Sequence, residues 1–368
     1  MTLFDTAGRW YQRHFSDPQA LILAALLLTG FAVVLIFGAI LAPAIAGMVV
    51  AYALEAVVEQ LERLGVRRML AVWFVTVLFL SLLVALLVGL APLLWSQALE
   101  LITQRLPAML AEGRRGLETL PERYPGFITA EQIDNMVRAL GNEVAMFGQS
   151  LFATSVATVV NIITLLVYLI LVPLLVFFFL KDKEPILAWI RSYLPENRAL
   201  AQRVWHEMDQ QIGNYIRGKL LEILIVAIIS GITFGLLGLD YALLLAALVG
   251  LSVIVPYVGA AVVTVPVAAI AFFQWGWSSE FAYVMIAYGI IQALDGNLLV
   301  PLLFSEAVNL HPVAIVLAVL FFGGVWGLWG VFFAIPLATL VKTVLNAWPS
   351  LASVPATPDS ANATQGNG

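Results

Sequence analysis

Residues 69–95 read MLAVWFVTVLFLSLLVALLVGLAPLLW, 27 residues without a charge. About 20 apolar residues of helix cross the hydrocarbon core of a bilayer, so this run is a transmembrane helix and its solvent is lipid. In lipid every backbone polar group has to be satisfied internally, which makes helices the building material of the chain. Upstream, residues 21–54 form 34 more uncharged residues, interrupted by Gly38, Pro43 and Gly47. That is long for one span and fits two short spans in a tight hairpin. Arg9 and Arg13 precede this stretch and Arg63, Arg67 and Arg68 follow it. The positive-inside rule puts both clusters, and the N-terminal segment 1–20, on the cytoplasmic side after an even number of crossings.

Downstream the character alternates. Residues 96–150 mix Arg105, Arg114, Arg115, Arg123 and Arg138 with seven acids, with apolar residues at helical spacing and a Pro125–Gly126 turn signal. They read as an amphipathic, extracytoplasmic helical cap. Residues 151–180 are a further span, closed by Lys181, Asp182 and Lys183. Residues 181–219 are the densest basic stretch; Leu200, Val204, Met208 and Ile212 recur every four residues and predict a helix over 198–215 along the cytoplasmic membrane face.

The whole chain of 368 residues is 62% apolar and 11% charged, with mean hydropathy +0.97. Soluble domains are about 45–50% apolar and about 25% charged. The absence of Cys removes disulfides, thiol catalysis and Cys-ligated metals. A net charge of −5 gives nucleic acid nothing to bind. The fold class is an all-α polytopic membrane protein with broken or re-entrant helices and two amphipathic extramembrane segments.

Seventeen of the 18 basic residues lie in 1–219, whereas residues 220–348 hold only Lys342 with Glu222, Asp240, Glu280, Asp295 and Glu306. This back half, 220–345, is read as a transport core. Its apolar runs 242–273 and 313–341 are punctuated by Pro256, Gly259 and Pro266, and by Gly323, Gly324, Gly327, Gly330 and Pro336. Transporters place such discontinuous helices around polar cargo near the membrane midplane; kinks or close helix packing are the plainer account. Residues 349–368 are rich in Pro, Ser, Ala and Asn, which predicts disorder.

The ordered motifs are FFFLKD at 177–182, NYIRGK at 214–219, IVPYVG at 254–259, QALDGNLLVP at 292–301 and VNLHP at 308–312, followed by the Gly-rich run to Pro336. Over about residues 15–345 the chain resembles the autoinducer-2 exporter (AI-2E) family, the PerM-like permeases. The resemblance implies about eight membrane segments and a bacterial inner-membrane location. It also implies a role among those proposed for that family, autoinducer-2 export or sodium/proton antiport. The family pattern has Glu before Gly-Asn; Asp295 stands there in this chain, and its shorter arm can shift a proton or ion site.

Asp295 is the sharpest candidate. It lies 14 residues into a span, where an ionised carboxylate costs at least ~2.5–3.5 kcal/mol, so it must be paired, protonated or facing water. The competing role is a cap on a helix broken at Gly296–Asn297, and the two are compatible. Gln292 shares its helical face and Asn297 follows the expected break; their amides suit a polyhydroxylated solute or a dehydrated cation, or else hydrogen-bond between helices. Pro256, Tyr257 and Gly259 mark another break, with the Tyr257 hydroxyl either presented there or at the membrane interface. His311, beside Asn309 and Glu306, fixes a turn or titrates as a gate. No second His lies at ligand spacing, so no metal or other cofactor is expected. Arg217 and Lys219 gate or, preferably, anchor a helix to lipid phosphates. Lys219 and Glu222 are expected to form a surface salt bridge, and Asp240 to sit at the water interface.

The leading function is a secondary transporter of a small polar solute, coupled to H+ or Na+, in the lipid bilayer and as a homo-oligomer. No Walker loop supports ATP drive, and the lack of HExxH or a nucleophile elbow leaves no case for an enzyme. An Asp240–Asp295 aspartyl pair is doubtful because the two lie at different depths. The remaining alternative is a non-transporting membrane scaffold or regulator acting through 96–150 and 181–219.

Overall fold

The computed structural model describes residues 18–118, 158–193, 199–304 and 310–347, with a few positions between 131 and 146. The Pro125–Gly126 turn, Glu306, Asn309 and the tail from 348 lie outside them. Among the described residues, seven helices are long and apolar enough to cross a membrane, with three shorter apolar ones, and none of the elements is a strand. The chain is an all-α polytopic membrane protein.

Helix α1 runs from Pro18 to Arg63. The Gln19 side chain accepts from the Leu200 N–H, while Tyr52 donates to Asp209. Thirty-three residues of straight helix would separate Gln19 from Tyr52 by about 50 Å, yet Leu200 and Asp209 lie only about 14 Å apart on one helix. The α1 run is therefore sharply bent between its two contacts, in the stretch that holds Gly38 and Pro43.

The next rod comprises α2 (Arg68–Ala85), α3 (Ala91–Glu100) and α4 (Leu106–Glu118), joined through π-turns at Leu86–Leu90 and Leu101–Arg105 without interruption. The sequence separates a span ending at 95 from an amphipathic cap; the backbone carries one rod through both, with Pro92 and Pro107 each accommodated just after a π-turn. Helix α5 (Thr158–Lys181) and the short α6 (Lys183–Ser192) follow. Glu55 Oε1 ties these elements together, accepting from Arg68 at 3.1 Å and Lys183 at 3.0 Å, while Arg68 also donates to the Leu180 carbonyl at 2.8 Å.

Helix α7 spans Ala199–Leu236. The sequence places a surface helix over 198–215 and a new span from 220; the structure joins them into one helix of 38 residues. Its basic half is held by packing, with Val204 and Met208 buried in a cluster with Leu23, Leu340 and Val344.

Two hairpins then approach α7 from opposite ends. In the first, α8 (Ala242–Ser252) turns at 253–257 into α9 (Val258–Trp275). Its open end is fastened near the far end of α7, where the Gln274 side chain accepts from the Asp240 N–H and donates to the Gly238 carbonyl. In the second, α12 (Pro312–Phe332) is interrupted by Gly327 at φ 59 and continues into α13 (Ala334–Ala347). Its open end lies by the basic half of α7, with Thr343 donating to Glu207. Between the hairpins runs α10 (Ser279–Leu294), which passes through a π-turn at Asp295–Leu299 into α11 (Val300–Phe304).

Both apolar runs are discontinuous, for a shared reason. At the first turn a Cβ on Gly259 would stand 1.8 Å from the Ser252 carbonyl oxygen; at the second a Cβ on Gly330 would stand 1.8 Å from that of Phe322. Only glycine lets the returning strand of each hairpin pass so close to the outgoing one. Gly323 packs on Val331 in the same way, while Gly324 and Gly327 have open space around them. Tyr257, at φ 63, carries the strain of the first turn; such a conformation costs about 1–3 kcal/mol in a non-glycine residue. The tip contacts the second hairpin, where Val255 joins Ala318, Val319 and Ala334.

Gly259→Val should prevent the first hairpin from closing and lower the melting temperature of detergent-purified protein by an amount equivalent to about 3 kcal/mol or more. Gly289→Val, at a position with open space around it, should be close to neutral in the same fluorescence melt.

Candidate functional site

One stripe of α7 builds the site. Tyr215, Lys219 and Glu222 follow each other at i, i+4 and i+7 and share one face, and all three are buried, at 2%, 3% and 2% exposure. The Tyr215 hydroxyl donates to the Phe332 carbonyl at 2.8 Å, where α12 gives way to α13. One turn on, Lys219 Nζ donates to the Val253 carbonyl at 2.7 Å, where α8 ends. Helix ends leave carbonyls without intrahelical partners, and in a low-dielectric interior those carbonyls must be paired. Helix α7 therefore supplies one buried donor to each hairpin.

Lys219 completes its coordination with Glu222 Oε2 at 2.7 Å and the Phe304 ring at 5.4 Å. The ring comes close because α11 packs directly on Gly218: a Cβ there would meet Phe304 at 2.8 Å.

The opposing wall is the π-turn. The Val300 N–H reaches back five residues to the Asp295 carbonyl. This wider register suits a helix with Pro301, which has no N–H to give to the residue four back. It also turns Asp295 inward, to 9% exposure, where its carboxyl interacts with Glu222 and with the charge of Lys219. Asp295 Oδ1 and Gln292 Nε2 are buried and have no partner. Both side chains line a cavity of about 350 Å³ with Lys219, Glu222, Pro256 and Tyr257. π-turns of this kind are frequent at functional sites.

The structure thus brings together Asp295, Gln292, Gly296, Pro256, Tyr257 and Lys219, all of which line the cavity. Gly259 stands behind it as the crossing point of the first hairpin. The expected break at Gly296–Asn297 is a π-turn in a continuous helix, so Asp295 caps nothing. Asn297 is exposed and donates to the Ala293 carbonyl of its own helix at 2.8 Å. His311 caps α12, its Nδ1 accepting from the Val313 N–H at 3.3 Å, and lies away from the cavity. Arg217 points aside to Asn214 Oδ1 at 2.8 Å.

Two expectations are corrected. Lys219 is not a lipid-phosphate anchor, and its pair with Glu222 is not a surface salt bridge, because α7 begins twenty residues before Lys219 and the pair is buried in mid-helix. Tyr215 and Glu222 are site residues that sequence reasoning passed over; their signal was the i, i+4, i+7 spacing with Lys219. Asp240 is exposed at the α7–α8 junction and lines a separate polar cavity of about 490 Å³ with Gln97, Glu100, Gln104, Arg105 and Tyr241. It does not meet Asp295, so the two form no aspartyl pair. Among the described residues no group of His, Asp and Glu is arranged to hold a metal ion.

Comparison with known proteins gives a consistent picture. The model of a family described as AI-2E family transporter matches residues 21–350. The chain is 50% identical over 341 residues to the "Putative permease PerM" of Escherichia coli (strain K12), covering 93% of this chain and 96% of that protein. It is 28% identical over 316 residues to the "Putative transport protein YrrI" of Bacillus subtilis (strain 168), covering 84% and 87%. It is 27% identical over 319 residues to the "Putative transport protein sll0063" of Synechocystis, covering 84% and 78%.

Removing one member of a buried ion pair costs about 3–5 kcal/mol, because the other charge is stranded. Lys219→Met should lower thermal stability on that scale. The double variant Lys219→Met/Glu222→Gln should recover only part of the loss in the same melt, because the Val253 carbonyl and Asp295 still lack the ammonium, whereas a surface pair would show neither effect.

Proposed function

The chain belongs to the AI-2E family of transporters, and on that premise we propose that it is a secondary transporter which exports a small polar solute, of the autoinducer-2 type, by alternating access. The observation that carries this reading is the acid-bearing cavity between α7 and the π-turn of α10, with a discontinuous hairpin converging on it from each end of the bundle. Non-helical backbone at membrane depth is tolerated where it is buried in protein or lines a cavity, and broken helices of this kind surround the cargo in carriers. The Asp295 carboxylate and the Gln292 amide offer the acceptor and donor groups that hydroxylated solutes need. Beside the cavity each hairpin receives one buried donor from α7, Lys219 for the first and Tyr215 for the second.

Coupling to a proton or sodium gradient belongs to the same reading, supported by the acidic groups facing the cavity. Sodium/proton antiport without an organic solute is the second reading, favoured by the predominantly apolar surroundings of those acids. Placement in the bacterial inner membrane with a cytoplasmic N-terminus is supported by the basic groups gathered at the Glu55–Arg68–Lys183 end.

Reconstitution into liposomes with an internal pH dye tests this directly, with autoinducer-2-type sugars and sodium supplied in turn. The wild type should move one of them and shift internal pH. Asp295→Asn should lower the rate by about tenfold or more, a barrier change of at least ~1.4 kcal/mol, while remaining monodisperse in detergent. Wild-type rates in that variant would remove Asp295 from the mechanism; no flux of any kind in the wild type would remove the transport reading.

A further inference from the structure

Glu222 and Asp295 reach the same cavity from different helices, and one cation, Lys219, serves both. The ammonium is not free to compensate two acids equally. It is fixed at 2.7 Å from Glu222 Oε2 and 2.7 Å from the Val253 carbonyl, with the Phe304 ring behind it. Tyr215, the remaining titratable group on this face of α7, has its hydroxyl committed to the Phe332 carbonyl. Among the described residues lining the cavity, the first hairpin contributes Tyr257, and the second contributes the apolar Ile315 and Ile335. Two carboxylates and one ammonium sum to −1, and among the described residues no further charged group lines the cavity. Asp295 is 9% exposed, and its Oδ1 has no donor. Two carboxyl groups that line one buried cavity beside a single cation hold together when a proton lies between them, as paired acids do wherever they share a site.

We propose that Lys219, Glu222 and Asp295 form a single-proton site, in which the two carboxyl groups share one proton and the Lys219 ammonium balances the remaining charge while holding the tip of the α8–α9 hairpin. Its use as the coupling proton of a carrier rests on the transport reading above; the site itself does not. The proton enters from the cavity at the unpaired oxygen of Asp295. With that proton in place the cluster is neutral. A second proton would neutralise Glu222 and release its hold on Lys219, leaving the Val253 carbonyl as the only oxygen bound to the ammonium. Proton occupancy therefore sets how firmly the hairpin tip is bound to α7.

Infrared spectroscopy of the purified full chain reads the proton without any transport assay. At neutral pH the wild type should show the C=O stretch of one neutral carboxylic acid in wild-type-minus-variant difference spectra. Asp295→Asn and Glu222→Gln should each abolish it, since either change leaves a simple ion pair with Lys219. Lys219→Met should retain the band and gain a second, because neither acid then has a cation. Absence of the band in the wild type, or its survival in one of the two acid variants, overturns the shared proton. Should a variant fail to fold, titration of the wild-type band to alkaline pH decides: it must disappear in one single-proton step, and a flat trace overturns the proposal. Liposome flux is scored separately. Band present without flux leaves the site and removes the carrier; flux present without the band does the reverse.

Discussion

An ammonium group buried in lipid-embedded protein cannot stay charged without close partners. The cost of removing it from water is several kcal/mol even after relaxation, and it has to be offset within a few ångströms. Lys219 meets that demand with a carboxylate, a carbonyl and an aromatic face. Each partner comes from a different place: Glu222 from its own helix, Val253 from the end of α8, Phe304 from α11. One charge thus fixes the relative position of three segments, and the cavity is the space left between them. Apolar packing of Val226 and Phe234 on Leu245 and Val249 holds the first hairpin along α7, and the Lys219 charge sets where its tip is bound.

The glycines serve the same architecture by a different route. Between helices in lipid the hydrophobic effect gives little drive to associate, so close packing and hydrogen bonding must supply it. Gly259 and Gly330 let each hairpin double back at van der Waals contact, and Gly218 lets α11 lie directly on α7. Close backbone approach then presents helix-end carbonyls to Tyr215 and Lys219 instead of to lipid. Small residues and buried donors are two halves of one solution: the first bring the polar ends near, the second satisfy them.

Much of this was legible in the sequence. The uncharged run at 69–95 was enough for the fold class, and Pro256 with Gly259 located the first turn. Asp295 and Gln292 stood out because a carboxylate and an amide in mid-span need a reason. The identity of their partner was hidden by a local cue: Lys219 closes a basic stretch, and basic residues at the start of an apolar run ordinarily mark the membrane boundary. Only the continuity of α7 back to Ala199 moves Lys219 to mid-helix. The π-turn was hidden too, since Asp-Gly-Asn reads as a break until Pro301 is counted as the cause of a register shift. Asn297 and His311 looked equally polar in the sequence, but they satisfy their own helices.

The uninterrupted rod from Arg68 to Glu118 has a mechanical meaning. Its first residue is clamped by Glu55, while Gln97 accepts from the Leu244 N–H and Glu100 from the Tyr241 hydroxyl at the root of the first hairpin. Past Ala71, Val72, Val75 and Thr76, which are buried beside the clamp, the stretch up to Glu100 buries none of its side chains. A beam fastened at both ends and free in the middle is a lever. About 48 Å of helix lies between Arg68 and Glu100, so a tilt of about 10° at the clamp swings the other end by ~8 Å. Through this arm a small rearrangement among Glu55, Arg68 and Lys183 on one side of the molecule would displace the hairpin's root on the other.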